Sequence, residues 1–358
     1  MGLKNRDHWQ TRFTSEITKP LLPIPKQAIS SSGSPSLPQG RVPTLSTFGY
    51  GRNDQLREVS ERAAHDTLHD FLYKRGHAYS GGISSMNTAP TACSRLSIHL
   101  AWGTISLATV LRRTNDRLHE LKNDTSDSGL RFKKSLRKFQ SRLYWHSHFV
   151  QKLEDEVAME FKAVNPVFAE GVPYVTGAEH DARLAAWGSG QTGFPAVDAA
   201  LRCYAATGWL NFRSRAMITS FACHALRLPW QTIVYELAKL MHDYVPGIHV
   251  SQVQMQAGVT GTNTIRVYSP QKQLEDQDPQ CYFVKKWIPE LAKRTAAEII
   301  GHQANPVDGY VAPIIDFKAE TKRMKDALYA KKKSPDGRMN ATYVYQKHGS
   351  RKRTKRKK

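Results

Sequence analysis

The chain has 358 residues, 40% of them apolar, enough to fill the core of one large globular domain or two modest ones. Its 52 Lys and Arg against 31 Asp and Glu give +21 at pH 7. The surplus is uneven: residues 318–358 hold 16 Lys/Arg and three acids, so +13 lies there and +8 in the rest. Four cysteines at least 20 residues apart, with no C-x-x-C pair, exclude a local zinc or iron–sulfur signature and read as reduced, mostly buried thiols. No metal site is expected. The N-terminus "MGLKNRDHWQTRF" has no apolar h-region and no window of about 18 apolar residues occurs, so neither export nor a membrane span is indicated and the cytoplasm is the expected compartment.

In chain order, residues 19–48 come first, with six prolines and a Ser/Gly cluster that deny helix and ladder bonding and read as an extended linker closing an N-terminal segment, 1–48. Almost nothing precedes that linker, so an N-terminal domain is expected to be absent. From Asp54 the apolar positions take helical spacing, with Leu56, Val59, Ala63, Ala64, Leu68, Phe71 and Leu72 on one face. The same period recurs over residues 96–113, 132–161, 196–209, 213–227 and 230–241. Strand-like alternation is scarce, no fixed repeat occurs, and the reading is an all-α body over 49–300. Residues 301–358 read as a basic extension, largely disordered at its end.

Several short motifs follow one another in that body: "SRLSIHLAWGTIS" (94–106), "RLYWHSHF" (142–149), "WGSGQTGFPAVDAALR" (187–202), "GWLNFRSRAMITSF" (208–221), "LPW" (228–230), "HDY" (242–244), "RVYSP" (266–270) and "YFVKKWIPEL" (282–291). This succession resembles the C-terminal, flavin-binding helical domain of the cryptochrome/DNA photolyase family, over roughly residues 50–295. Members of that family usually begin with an α/β antenna domain and a linker. This chain starts near the linker, so the flavin half alone is expected, without an antenna pigment. The fold implied is the multi-helical FAD-binding domain, with FAD as cofactor.

Small hydroxyl residues and an arginine at a helix start suit a phosphate, because free backbone N–H groups and the helix dipole face it. By resemblance, Ser94, Arg95, Leu96 and Ser97, with Tyr79 upstream, hold the FAD diphosphate; an ordinary N-cap beside a surface arginine is the competing reading. An apolar interior tolerates Arg215 when a carboxylate neutralises it, and Asp243, 28 residues on, can meet it across a helical hairpin. The family uses such a pair beside the isoalloxazine ring; a plain structural salt bridge remains the alternative. Arg213 is assigned to fold support. Phe139 and His146 match flavin-contacting positions. His249 stands where the family places a small polar residue opposite flavin N5, and an unperturbed histidine could donate there or supply a proton near neutral pH. Trp145 and Trp209 fall where the family lines a pocket for extruded bases, for which aromatic faces are suited; core packing is the competing reading for each.

Departures from the family pattern bear on activity. Cyclobutane-dimer photolyases carry a Glu three residues before the pocket Trp, and here that position is Arg142. The two histidines of (6-4) photolyases align with Phe212 and Ala216. Of the three tryptophans that relay electrons to the flavin, only the middle one is matched, by Trp230; the others fall on Val253 and Gly177. The resemblance therefore implies a photolyase-like lyase with an atypical active site, binding duplex DNA with a flipped lesion and passing an electron to pyrimidine photolesions. A cryptochrome-like blue-light photoreceptor without repair activity, with a protein signalling partner, is the alternative. The terminal "HGSRKRTKRKK", with eight Lys/Arg from Lys347 onward, reads as a solvated tail or as nonspecific phosphate attraction, and the two are compatible.

Overall fold

The computed structural model describes residues 6–19, 44–48, 51 and 53–349, so most of the Pro/Ser-rich stretch and the last nine residues lie outside the described residues. The described chain contains α-helices and short 3-10 or π turns and no strand. The helices are α1 (Arg6–Thr18), α2 (Glu61–Asp70), α3 (Tyr79–Gly82), α4 (Ala89–Ala92), α5 (Ser97–Ala101), α6 (Leu107–Glu120), α7 (Asp127–Asp155), α8 (Gly177–Gly188) and α9 (Pro195–Thr207). After these come α10 (Phe212–Ser220), α11 (Trp230–Leu240), α12 (Pro246–Ala257), α13 (Pro270–Gln277), α14 (Tyr282–Trp287), α15 (Ala296–Gly301), α16 (Phe317–Lys333) and α17 (Pro335–His348).

Short polar side chains fix several helix starts that periodicity alone misplaces. The helix expected from Asp54 begins at Glu61, because extended Ser60 accepts a hydrogen bond from the Ala63 N–H at 3.1 Å and Leu56 is left exposed. The 96–113 window splits into α5 and α6 at Gly103, with Ser106 capping the Thr109 N–H at 3.0 Å. α7 starts at Asp127, where Ser126 accepts from the Gly129 N–H.

Two apolar cores result. The smaller gathers Leu68, Phe71, Leu72, Tyr79, Val110, Leu111, Phe132, Leu136, Phe139 and Leu143, with Ile17 of α1. The larger is built on α9–α12 and includes Trp187, Tyr204, Phe221, Trp230 and Val250. α7, 29 residues and so roughly 43 Å long at 1.5 Å per residue, belongs to both: its N-terminal half fills the smaller core and Leu153 packs on the larger. It crosses α12 at Gly247, where a Cβ would lie 2.6 Å from the Phe149 carbonyl oxygen and 2.7 Å from the Val150 Cα.

The Thr-Gly turn of "GQTGFPAVDAALR" is held from inside. Fully buried Asp198 accepts from the Thr192 hydroxyl (2.6 Å), the Thr192 N–H (3.0 Å), the Gly193 N–H (3.1 Å) and the Tyr310 hydroxyl. Gly193, at φ +76°, lets residues 312–313 pass where a Cβ would be 2.3 Å from the Ala312 carbonyl oxygen. The chain after residue 300 is thereby sewn to the body. Residues 317–348, expected to belong to a basic extension, form α16 and α17 instead: Met324 and Leu328 are buried in the larger core. The apolar positions among their many lysines are what charge counting hides. At the end of α17, the Lys347 ammonium and the His348 Nε2 lie 2.6 and 3.0 Å from one Glu156 oxygen. Cys203, Cys223 and Cys281 are buried free thiols and Cys93 is half-buried. Among the described residues no helix is long and apolar enough to cross a membrane, and no His/Cys/Asp/Glu group could hold a metal ion.

Gly247→Ala is expected to force α12 away from the α7 backbone and cost about 1–3 kcal/mol, whereas Gly188→Ala, with nothing within 4 Å of its Cβ, is expected to be neutral or stabilising; urea unfolding of the two variants checks the contrast. A second expectation concerns acid. Burial raises the Glu156 carboxyl, but its hydrogen bonds and charge attraction from His348 and Lys347 outweigh burial and bring it to about 2. A depressed carboxylate contributes stability above its ordinary value of 4.5 that is lost as pH falls toward 2. The stability difference between wild type and Glu156→Gln is therefore expected to be full near pH 5, where His348 can carry its charge, and to narrow as the urea midpoint is measured at decreasing pH.

Candidate functional site

Gly208 ends α9 in the left-handed region at φ +65°, and its carbonyl accepts the His242 N–H at 3.0 Å. A Cβ at Gly208 would stand 2.6 Å from the His242 Cβ, so only glycine lets the 207–209 turn sit against 242–243. A narrow cleft opens there, lined by these two segments together with Arg57, Arg95 and Ile98.

Arg215 and Asp243 meet at this place. The Arg215 Nη2 donates to Asp243 Oδ2 at 2.8 Å and its Nε to the Leu210 carbonyl at 2.8 Å, while its guanidinium lies 5.1 Å from the centre of the Tyr204 ring. Burial favours the neutral guanidine, but the Asp243 charge outweighs it and the Arg215 pKa rises. The pair is incompletely satisfied: Asp243 Oδ1 and the Tyr204 hydroxyl are buried without a hydrogen-bond partner.

Arg95, held at φ +62°, lays its guanidinium 3.7 Å from the centre of the Trp209 ring, a close cation–π arrangement. Burial and the neighbouring Arg57 charge pull Arg95 down to about 10, and burial also lowers Arg57. Two crowded cations beside an aromatic face form an electrostatic well for an anion. The turn carrying Arg95 is fixed by Arg75, whose guanidinium donates to the carbonyls of Thr91 (2.9 Å), Cys93 and Ser94 (2.7 Å). Ser94 and Ser97 do not form the ordinary N-cap of the competing reading: Leu96 occupies the N-cap position of the five-residue α5 with no side-chain bond, and the Ser94 hydroxyl accepts the Leu96 N–H at 3.4 Å.

The other expected residues separate into groups. Tyr79 and Phe139 join Phe71 in an edge-to-face cluster with centroid distances of 4.8–5.7 Å in the smaller core, and burial raises the Tyr79 hydroxyl pKa. His146 is half-buried with neither ring nitrogen partnered, and burial lowers its pKa. Arg213 reaches Gln273 at 3.4 Å and leaves its Nε buried and unpartnered. Trp145 is half-buried, with exposed Arg142 stacked 5.7 Å from its ring centre. Trp230, 1% exposed, is set in the larger core rather than in the cleft.

His249 departs from its expected chemistry. It is 6% exposed, its Nε2 is 2.8 Å from the Val234 carbonyl, and burial, only partly offset by that bond, pushes it down to about 4. With Nε2–H donated to a carbonyl, the neutral ring keeps only an acceptor at Nδ1, so it holds no spare proton near neutral pH. Sequence reasoning also missed Arg57, Arg75 and His242. His242 had a signal in its position beside Asp243, and Arg57, 38 residues before Arg95, had none.

The donor set fits a dinucleotide such as FAD. Cations for phosphates and a carboxylate with a free oxygen for a ring N–H are what such a group would complete. The cleft is a narrow one, with the Arg95–Trp209 stack at its wall, and encloses far less space than the about 300–1,000 Å³ of pockets that surround a drug-sized ligand. Removing the arginine of the central pair tests its role: Arg215→Ala leaves Asp243 buried and uncompensated and is expected to cost about 3–5 kcal/mol of unfolding free energy, measured by urea denaturation.

The family described as the FAD binding domain of DNA photolyase matches residues 139–330. The deoxyribodipyrimidine photo-lyase of Halobacterium salinarum is 26% identical over 336 residues, covering 89% of this chain and 65% of that protein. The tomato (Solanum lycopersicum) cryptochrome DASH, chloroplastic/mitochondrial, is 25% identical over 302 residues, covering 81% and 49%. This chain thus spans about half to two thirds of the length of these curated relatives. The crystal structure of a bacterial class III photolyase from Agrobacterium tumefaciens superposes with a TM-score of 0.69 at 23% identity, covering 84% of this chain and 63% of that one, which shows a shared fold. With more than half of its residues matched by the family and its helical architecture shared, the chain belongs to the family of FAD-binding domains of DNA photolyase.

Proposed function

We propose that the protein is a photolyase/cryptochrome-like flavoprotein that binds FAD noncovalently and engages DNA for light-driven electron transfer to pyrimidine photolesions. The observation that carries the reading is the incompletely satisfied Arg215–Asp243 pair, beside a cleft lined by two cations and Trp209, in a chain of this family. Arg95 and Arg57 would hold the phosphates of the cofactor, and Asp243, oriented by Arg215, would accept a ring N–H through Oδ1. Bound FAD would supply the light absorption and the electron. His249, a neutral acceptor fixed by Val234, would accept a hydrogen bond and give no proton.

Arg142 favours the second reading, a photoreceptor without repair activity. Its guanidinium is exposed beside Trp145 and offers hydrogen-bond donors only, and a guanidinium keeps its protons too firmly to share one with a lesion that gains an electron. Electrostatic help to an anion survives; proton sharing does not.

Titration of the purified protein with FAD is expected to give a saturable change in flavin absorbance that is lost in Arg215→Ala, and a folded protein that takes up no flavin overturns the proposal. Under blue light, weak or absent cyclobutane-dimer repair by the loaded wild type and a gain in Arg142→Glu are expected. Robust wild-type repair without a gain shows that the acid is dispensable. No repair in either protein, with reversible flavin photoreduction, selects the photoreceptor.

A further inference from the structure

α7 carries a line of cations that lies outside the flavin cleft. Arg131, Lys134, Lys138 and Arg142 follow one another at spacings of three and four, so at 100° per residue they fall on one side of the helix, together with Trp145. Arg131, Lys134 and Arg142 are exposed and Lys138 is half-buried, its ammonium donating to the Ser80 carbonyl at 3.0 Å.

The line has no counter-charge. Between Asp127 and Glu154 α7 contains no acid, and among the described residues none of the four cations forms an ion pair closer than 4 Å. Elsewhere among the described residues some helical cations are paired locally, as in Arg117–Glu120, Lys239–Glu236 and Lys272–Asp276, while others, the exposed Lys322 and Arg323 of α16 among them, are not. Burial, and then the charges of Arg142 and Lys134, depress the Lys138 pKa, a sign that the cations repel one another. Like charges at this spacing weaken an isolated helix, so here the helix is carried by its buried face: Phe132, Leu136, Phe139 and Leu143.

From Arg131 to Arg142 the line runs roughly 16 Å, the axial length of about five base pairs. It ends at a half-buried indole with a guanidinium already stacked on it. A cationic track leading to an aromatic face is the pairing that grips a phosphate backbone and receives a base. We propose that this side of α7 is the nucleic-acid track of the protein, with the exposed Arg131, Lys134 and Arg142 on backbone phosphates of a DNA strand that leads to Trp145. The assignment rests on the DNA-binding reading above and adds the surface and the register.

The test uses the full chain, a fluorescein-labelled DNA duplex and a salt series. Arg131→Gln/Lys134→Gln removes two exposed track cations; Lys322→Gln/Arg323→Gln, on exposed positions of α16, removes the same charge elsewhere. Neither pair belongs to the flavin cleft, so flavin uptake and melting serve as checks on folding. The α7 variant is expected to flatten the log–log salt slope by about 1.8, two contacts at about 0.9 each, and to weaken binding roughly 50-fold at 0.1 M salt, while the α16 variant keeps the wild-type slope. Wild-type affinity and slope in the α7 variant, with the wild type binding the duplex, overturn the track and leave the DNA reading standing. Equal losses in both variants overturn it too, since net charge alone would then account for binding. A wild type that ignores the duplex but is retained by immobilised polyglutamate overturns both readings and assigns the face to an acidic protein segment.

Discussion

A buried guanidinium and a buried carboxylate, 28 positions apart in sequence and 2.8 Å apart in space, set the condition that the surrounding structure has to meet. Neither charge could be left alone in the larger core, so α10 and the connection between α11 and α12 are tied to each other. That tie requires the turn after α9 to come within van der Waals distance of His242, which Gly208 permits. It also leaves one oxygen of Asp243 without a hydrogen-bond partner, beside the likewise unpartnered Tyr204 hydroxyl and close to the crowded cations Arg95 and Arg57.

The scaffold around the pair is fixed by close approaches rather than by volume alone. α7 meets α12 at a position with no room for a methyl group, and Asp198 gathers four donors from segments more than a hundred residues apart in sequence. The family reading accounts for the pair, and the charge on α7 lies outside it. The cleft and α7 use charge differently: in the cleft two cations, exposed Arg57 and half-buried Arg95, crowd beside one indole, while on α7 cations repeat along one helix side.

The fold class was legible because amphipathic periodicity is strong in α2, α6, α7 and α11, and the Arg215–Asp243 pair because two charges stood among apolar neighbours. Helix boundaries were less so. Ser60 and Ser106 cap through a single hydroxyl, a signal too small to compete with a run of well-spaced apolar residues around it. Residues 317–348 were misjudged because their lysines outnumber the few positions, Met324 and Leu328 among them, that reach the core. The chemistry of His249 could not be read from its identity, since a histidine titrates where its environment puts it, and Val234 is joined to it only by folding. Arg57 reaches the cleft from a loop, without periodicity or motif to announce it.

Two cores that share one helix are two cooperative units with a common strut. Tyr79 and Phe139 belong to the smaller unit and Arg215, Asp243 and His249 to the larger or its edge, so a ligand gripped by both groups would add its binding free energy to the seam rather than to either unit. In calorimetric terms, an empty protein has licence to melt in two overlapping steps, the smaller core first. A protein whose two halves are clasped by one cofactor would melt as one. The long helix therefore makes cooperativity itself a property that is acquired with the ligand.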